Sequence, residues 1–510
     1  MPRLQMLSET PPAAPRLTAC SSATVAHTEP AFAHCHRVND LHSALNPTAV
    51  LRTLRPRNAF DIAAHVERAR RLGVPVALCG GRHAMGGQQF ASGGWLLDLS
   101  ACNRVLEFDA QRGLIEVEAG MRWPQLLAAL ERLQPAAQRP GGTAPWTFRQ
   151  KQTGADALSI GGALSANIHG RGLDFAPFVD DVEAFSLVTA DGQLRRVSRT
   201  CEAELFALAI GGYGLFGVIA SVTLRLVRRT WLRREVEIVD VDDLLPTFDT
   251  RRLDGCTYGD WQFAIDPGAP TFLTRGVFSC YRPVPSPHAE QSAGDTPRRE
   301  LSEADWQALL RLAHVDKAAA FERYAGFYLS TSGQRYASDA HQMSRYVEHY
   351  HRSIDAELGC RGSEMITELY VPRTRLADFM RACAFELRAA RADVIYGTVR
   401  LIRRDTQTFL AWAREDYACV IFNLHVEHSP AGTQAAAQIF RRLIDRAIER
   451  GGSYYLTYHR HARRDQVEAC YPQMRAFLQL KRRWDPQLLL QSDWYRHQCR
   501  LLEHDDMPVS

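Results

Sequence analysis

The chain has 510 residues, 46% of them hydrophobic and 23% charged, which excludes intrinsic disorder and is too long for one hydrophobic core. Its 61 Lys and Arg against 57 Asp and Glu leave a net charge of +4, too weak a field over this length to argue for nucleic-acid binding. Local basic pairs such as Arg403 with Arg404 and Arg482 with Arg483 read as solvated faces rather than phosphate tracks.

Residues 1–36 are rich in Pro, Ala, Ser and Thr and hold no uninterrupted apolar stretch. They predict a flexible leader on a cytoplasmic protein, with neither signal peptide nor transmembrane segment; an unusual export route stays open. The twelve Cys lack C-x-x-C pairs, and Cys20, Cys35, Cys79 and Cys102 share no framework spacing, so reduced thiols and no metal site are expected.

From residue 38 to 227 helix and strand patterns alternate, an α/β or α+β arrangement. A helix is predicted over 58–72, strands over 74–78 and 95–99, and a half-exposed strand over 113–120. The next helix, over 123–133, has Pro124 in its first turn. Residues 182–189 and 194–198 read as a hairpin around Asp191-Gly192. Beyond 227 strands dominate, such as 235–241, and 281–299 reads as a surface loop.

Two glycine-rich segments carry the strongest chemical signal. CGGRHAMGGQQF (79–90) leaves a predicted strand with Gly80, Gly81, Gly86 and Gly87 among Arg82, His83, Ala84, Met85 and Gln88. Glycines there let the backbone approach a pyrophosphate closely, although a plain surface loop fits as well. LSIGGALSANIHGRG (158–172) sets Ser159, Gly161, Gly162, Ser165, Asn167, His169 and Gly170 in a small-residue stretch able to lie flat against a planar ring. His169 reads equally as a hydrogen-bonded core histidine. A third segment, GYGLFG (212–217), satisfies G-x-G-x-x-G but follows a helix and precedes a strand, which excludes a Rossmann site. With no Walker loop, H-E-x-x-H or G-x-S-x-G, an enzyme of this sequence needs a cofactor for its hard chemistry.

Taken with DVEAFSLVTADG (181–192) and ELFALAIGGYGLFGVIASVTL (204–224), these segments resemble the FAD domain of the vanillyl-alcohol oxidase and p-cresol methylhydroxylase (PCMH-type) family. YACVIFNLHV, GGSYYLTYHR and YPQMRAFLQLKRRWDPQLLLQSDW resemble the decaprenylphosphoryl-ribose oxidases. The GRH triplet also resembles the loop of alditol and gulonolactone-type oxidases, in which the histidine bonds the flavin covalently; the resemblance thus leaves two alternatives, FAD bonded through His83 or FAD held without that bond, as in sterol-type and lipid-sugar relatives. The resemblance implies an α+β fold with a two-subdomain FAD-binding domain over 37–228, a substrate or cap domain over 229–450, and a segment over 451–510 that returns to the FAD domain. It further implies that 79–90 wraps the FAD pyrophosphate, that 158–172 runs along the isoalloxazine, and that Gly141, Tyr455 and the backbone from Gly217 to Ile219 complete the FAD contacts. Cys419 matches a cysteine beside the flavin, whereas Tyr458 occupies the position of the family's active-site lysine.

The expected reaction is oxidation of a hydroxyl-bearing carbon in a sugar, polyol or lipid-linked sugar by hydride transfer to flavin. Tyr458, Cys419, Arg400, Glu368 and His425 are the candidates around the substrate, and oxygen or a quinone is the expected electron acceptor. A flavin-dependent reductase of carbon–carbon double bonds and a non-catalytic flavin-binding subunit are the alternatives. Oligomeric state is not legible.

Overall fold

The computed structural model describes residues 35–135, 143–154, 156–286, 299–344 and 350–503. The leader expected over 1–36 falls almost wholly outside the described residues, as does Gly141.

Two small sheets and one large one organise the chain. Arg52–Leu54, Trp95–Asp98 and Val76–Cys79 form a parallel three-stranded sheet, covered by the helix Ala59–Leu72, whose Ile62, Val66 and Ala69 are buried. That helix starts where the Asn58 side chain accepts from the Asp61 amide and stops at Gly73 in the left-handed region (φ 63°), a polar N-cap and a glycine C-cap. An antiparallel five-stranded sheet follows, in the order Leu194–Ser198, Val182–Val188, Val218–Arg225, Leu114–Glu118, Val105–Asp109. The helix Trp123–Leu133 and the strand from Val218 lie where their apolar periodicity puts them.

The eight-stranded antiparallel sheet runs Arg335–Ala337, Trp231–Asp240, Arg275–Val284, Tyr258–Phe263, Val394–Ile402, Tyr417–Glu427, Gly362–Pro372, Ser453–Tyr454. Its strands alternate with period two. Leu369, Val371, Val399, Val420 and Phe422 belong to the same apolar core as Phe379, Met380, Phe440 and Leu443 of the helices Leu376–Ala389 and Pro430–Ile448. The other face carries Glu364, Glu368, Arg400, Asn423 and His425 among apolar residues such as Ile366 and Ile421. Residues 281–299 are not one loop: Tyr281 to Val284 continue the strand Arg275–Val284, because the Tyr281 ring is fully buried and packs under the Arg171 guanidinium at 4.9 Å; 287–298 lie outside the described residues.

The chain end is tied to its beginning by backbone bonds. Leu490 bridges Val76, the Asp493 amide donates to Phe90 O at 2.7 Å, and the Gln491 amide donates to Val76 O at 2.9 Å. Asp485 holds this turn by accepting from the Leu489 and Leu490 amides, and its Oδ2 pairs with Lys481 Nζ. Both side chains are 2% exposed or less. Burial pulls the lysine pKa down and Asp485 lifts it part of the way back, to about 8. All eleven described cysteines are free, with Cys256 and Cys280 sulfurs 3.5 Å apart. Among the described residues no helix is long and apolar enough to cross a membrane.

Replacing Lys481 by Met leaves the Asp485 carboxylate buried without its cation, so the variant is expected to lose about 3–5 kcal/mol of unfolding free energy. Denaturant titration checks this, and a loss within experimental error refutes it.

Candidate active site

One cavity of about 880 Å³ runs between the glycine-rich segments and the polar face of the eight-stranded sheet, within the size range of small-molecule and cofactor sites. At one end it is walled by residues 79–84, by Ser159, Gly161, Gly162 and Ser165, and by Gly214, Gly217 and Ile219. At the other end stand Glu368, Arg400 and Tyr458, with Arg171, Arg234 and Tyr281 beyond them.

The two glycine motifs close on each other. A Cβ at Gly80 would meet Ser159 Oγ at 2.1 Å, one at Gly81 would meet Ala157 O at 2.5 Å, and one at Gly161 would meet Ala119 Cβ at 2.6 Å. Gly217 has φ +158° with Leu187 2.5 Å from where a Cβ would sit. Ser159 caps the short helix Ile160–Ala166 by accepting from the Gly162 amide. Among the described residues the backbone amides of Gly80, Gly81, Arg82 and Ala84 meet no acceptor, although they line the cavity. Such a cradle of free donors, with no side chains in the way, fits a diphosphate. His83 faces the same space, with Nδ1 2.9 Å from His42 Nε2. Burial, then the neighbouring His42 and Arg122, hold its pKa down at about 3, so the ring is neutral.

Several residues expected at the cofactor serve the protein instead. Met85 is a core side chain, and the Met85 and Gly86 amides donate to Thr457 O. Gly87 packs against the Arg460 guanidinium and accepts from the Trp494 amide. Asn167 is fully buried, bonds Asp405 and the Val179 amide, and ends its helix in the left-handed region (φ 48°). The Gly170 amide donates to Gln150 Oε1. Gln88 and Tyr455 do line the cavity; Tyr455 donates to Ala166 O at 2.6 Å.

At the far end His169 Nε2 lies 2.8 Å from Glu368 Oε1, and His169 Nδ1 donates to Gly170 O at 2.9 Å. The Tyr370 hydroxyl donates to the same Glu368 oxygen. Burial pushes the Glu368 carboxyl up, but the His169 charge and hydrogen bond and the Tyr370 hydroxyl outweigh it, leaving the group below its usual range. Arg400 Nε is buried with no hydrogen-bond partner among the described residues. Tyr458 accepts from Gln152 at 3.1 Å; burial and then Glu368 push its pKa well above 10, so it stays protonated and acts as a donor rather than a base.

Cys419 sits 3.6 Å from His169 Nε2 but does not line the cavity, and burial with Glu368 beside it keeps its thiol protonated. His425 is not in this group at all; it faces His314 and His351 farther along the strand. Sequence reading also missed His42, Tyr213 and the Arg171, Arg234 and Tyr281 cluster. It missed Lys151 as well, fully buried, 2.8 Å from Asp156 and donating to the Gln152 and Gln342 carbonyls. Lys151 thus fixes the loop whose Gln152 holds Tyr458. The tandem polar run RQKQ around Lys151 gave the one legible hint.

Residues 50–198 match a family described as an FAD binding domain. That segment of the chain is thus an FAD-binding domain. It is 33% identical over 174 residues to an uncharacterized oxidoreductase of a fasciation locus in Rhodococcoides fascians, covering 34% of this chain and 36% of that protein. It is 29% identical over 251 residues to L-gulono-1,4-lactone dehydrogenase of Mycobacterium tuberculosis, covering 49% of this chain and 53% of that protein. Cytokinin dehydrogenase 5 of Oryza sativa subsp. japonica aligns over 86% of this chain and 85% of its own length at 25% identity. The chain thus spans about a third to half of the first of these relatives, and most of the last. FAD is the cofactor of this fold, and the glycine cradle is where the chain's own geometry admits it.

Replacing Gly80 by Ala is expected to cut bound flavin at least about tenfold, because the new methyl meets Ser159 Oγ at 2.1 Å. The double variant Gly80→Ala with Ser159→Gly is expected to regain it. Flavin absorbance per protein in the purified variants decides, and wild-type flavin content in Gly80→Ala alone refutes the cradle.

Proposed function

We propose that this protein is an FAD-dependent oxidoreductase that removes hydride from a hydroxyl-bearing carbon of a sugar, polyol or lipid-linked sugar, with oxygen or a quinone as final electron acceptor. One observation carries the reading: a single cavity joins the glycine cradle to the Glu368, His169, Arg400 and Tyr458 set. When bound, FAD supplies the acceptor for the hydride. Everything else falls to the chain.

Oxidising an alcohol to a carbonyl removes a hydride from carbon and a proton from oxygen. Glu368, ionised and fixed in place through Oε1, takes the hydroxyl proton. His169 and Tyr370 hold that carboxylate in one orientation, since both bond the same oxygen. Arg400 and the protonated Tyr458 hydroxyl donate to the substrate oxygen and keep it placed. Deeper in the cavity Arg171 and Arg234 lie over the Tyr281 ring at 4.9 and 5.1 Å, and flat aromatic faces beside guanidinium donors suit a polyhydroxylated molecule. The likeness to L-gulono-1,4-lactone dehydrogenase supports a sugar-derived substrate.

Anaerobic mixing with a panel of sugar lactones, polyols and lipid-linked pentoses, followed at the flavin absorbance band, tests the reading. Bleaching by at least one class is expected; a flavin reduced only by external reductants and reoxidised by alkenes would support double-bond reduction instead. Glu368→Gln is expected to lower kcat by about 10²–10⁴ with flavin content unchanged. Because the Glu368 carboxyl lies below its usual range, the base is present above that depressed pKa. Wild-type kcat/KM is therefore expected to hold as pH falls to the ordinary carboxylate value of about 4.3 and to decline only below it. A decline that begins above pH 6 argues against Glu368.

The neutral His83 ring in the cavity wall supports covalent attachment of the flavin through His83. Acid precipitation reads this directly. Yellow colour is expected in the wild-type pellet and absent from the His83→Ala pellet; colour released to the supernatant by the wild type refutes the linkage.

A further inference from the structure

A second polar cluster lies on the same face of the eight-stranded sheet as Glu368, displaced along the strands. Glu364 shares that face with Glu368, and its register partner on the neighbouring strand is His425. The span from 419 to 425 puts roughly 20 Å between the Cys419 and His425 positions. Two helical residues close on His425 from outside the sheet. His314 lies in the last turn of Glu303–Val315, and His351 opens His351–Leu358.

One nitrogen from each of the three rings lies within 4.8 Å of the other two. The ring centroids are 5.2 Å apart for His314 and His425, 5.6 Å for His314 and His351, and 5.7 Å for His351 and His425. His314 Nδ1 donates to Leu310 O at 2.9 Å, which fixes the tautomer and leaves Nε2 with a bare lone pair. That Nε2, both nitrogens of His351 and both of His425 are buried and meet no hydrogen-bond partner among the described residues. Glu364 Oε1, also buried without such a partner, stands 3.9 Å from His351 Nε2, while Glu364 Oε2 accepts from Asn423 Nδ2 at 2.7 Å.

Buried polar atoms are ordinarily paired, and each one left unpaired costs free energy. A convergence of this many is accounted for by a ligand that takes lone pairs and gives none. We propose that His314, His351, His425 and Glu364 bind one divalent first-row transition-metal ion of the zinc class. Three imidazoles with one carboxylate is a donor set for such an ion. Bonds of about 2.0–2.1 Å require ligand atoms roughly 3.3 Å apart around a tetrahedron, so the 4.8 Å cluster closes by about 1–1.5 Å on binding. The outer contacts that orient metal ligands are in place: Leu310 O on His314 and Asn423 on Glu364. The ion pins the helices Glu303–Val315 and His351–Leu358 to the sheet at the substrate end of the cavity, which Glu364 and Asn423 help to line.

The full-length flavoprotein is dialysed at about pH 7.5 against excess Zn²⁺ and then against metal-free buffer. Zinc by mass spectrometry and flavin by absorbance are measured on the same samples. One zinc per chain is expected, with His351→Gln and His425→Gln each cutting it at least about tenfold at unchanged flavin content, and the exposed control His36→Gln retaining it. Flavin-replete wild type without zinc, or zinc retained by both site variants, overturns the proposal. X-ray absorption of the zinc-loaded wild type serves even where the variants fail to fold. A shell of three imidazole nitrogens and one carboxylate oxygen supports the site. Sulfur in the shell, as Cys419 or the Cys256 and Cys280 pair would give, overturns it.

Discussion

Strand alternation in the eight-stranded sheet dictates most of what surrounds the cavity. One face is apolar where two long helices bury it, so the charged groups of the central strands stand on the other face. Arg234, Asp260, Arg400, Glu368, Asn423 and Glu364 therefore stand in one wall, taken out of bulk water. Charges in that position are tolerated only with partners. Arg234 has three, its guanidinium bonding the hydroxyls of Tyr281, Thr331 and Tyr336, and Glu368 has His169 and Tyr370. Arg400 Nε has none among the described residues, and a bound substrate oxygen is the natural partner for it.

A different constraint governs the opposite wall. There the chain passes so close to itself that side chains would collide: Gly80 against Ser159, Gly81 against Ala157, Gly161 against Ala119. The glycines bring two segments together where the amides of Gly80, Gly81, Arg82 and Ala84 meet no acceptor among the described residues. Cofactor binding and packing thus make the same demand on the sequence. That explains why glycine runs alone cannot separate Gly80, which lines the cavity, from Gly87, which packs on Arg460.

Periodicity explains what was legible in the sequence. The helix over 123–133 is found over the same residues, with Pro124 in its first turn, and the hairpin around Asp191-Gly192 joins Val182–Val188 to Leu194–Ser198. The GYGLFG segment lies between a helix and a strand, as the order of patterns requires. Local pattern does not report distance along a strand, however. His425 has the parity of Ile421 and Asn423, which do line the cavity, but its place near the strand end carries it to His314 and His351. Nor does local pattern join residues far apart in the chain. The contacts of Lys151 with Gln342, of Gln152 with Tyr458 and of His42 with His83 arise only once the sheets are assembled.

The strand Gly362–Pro372 shows how partners, rather than burial, decide the state of a carboxyl group. Glu364 and Glu368 point to the same face, Glu368 fully buried and Glu364 partly so. Glu368 is met by an imidazole and a tyrosine hydroxyl, and its pKa falls below the usual range. Glu364 receives one amide donor from Asn423, burial prevails, and its pKa rises to about 7. Separating two carboxyl groups in this way assigns them different work. The one kept ionised is the group proposed above to take the substrate proton. The other is short of positive charge, which is what the geometry around its three neighbouring histidines leaves room to supply.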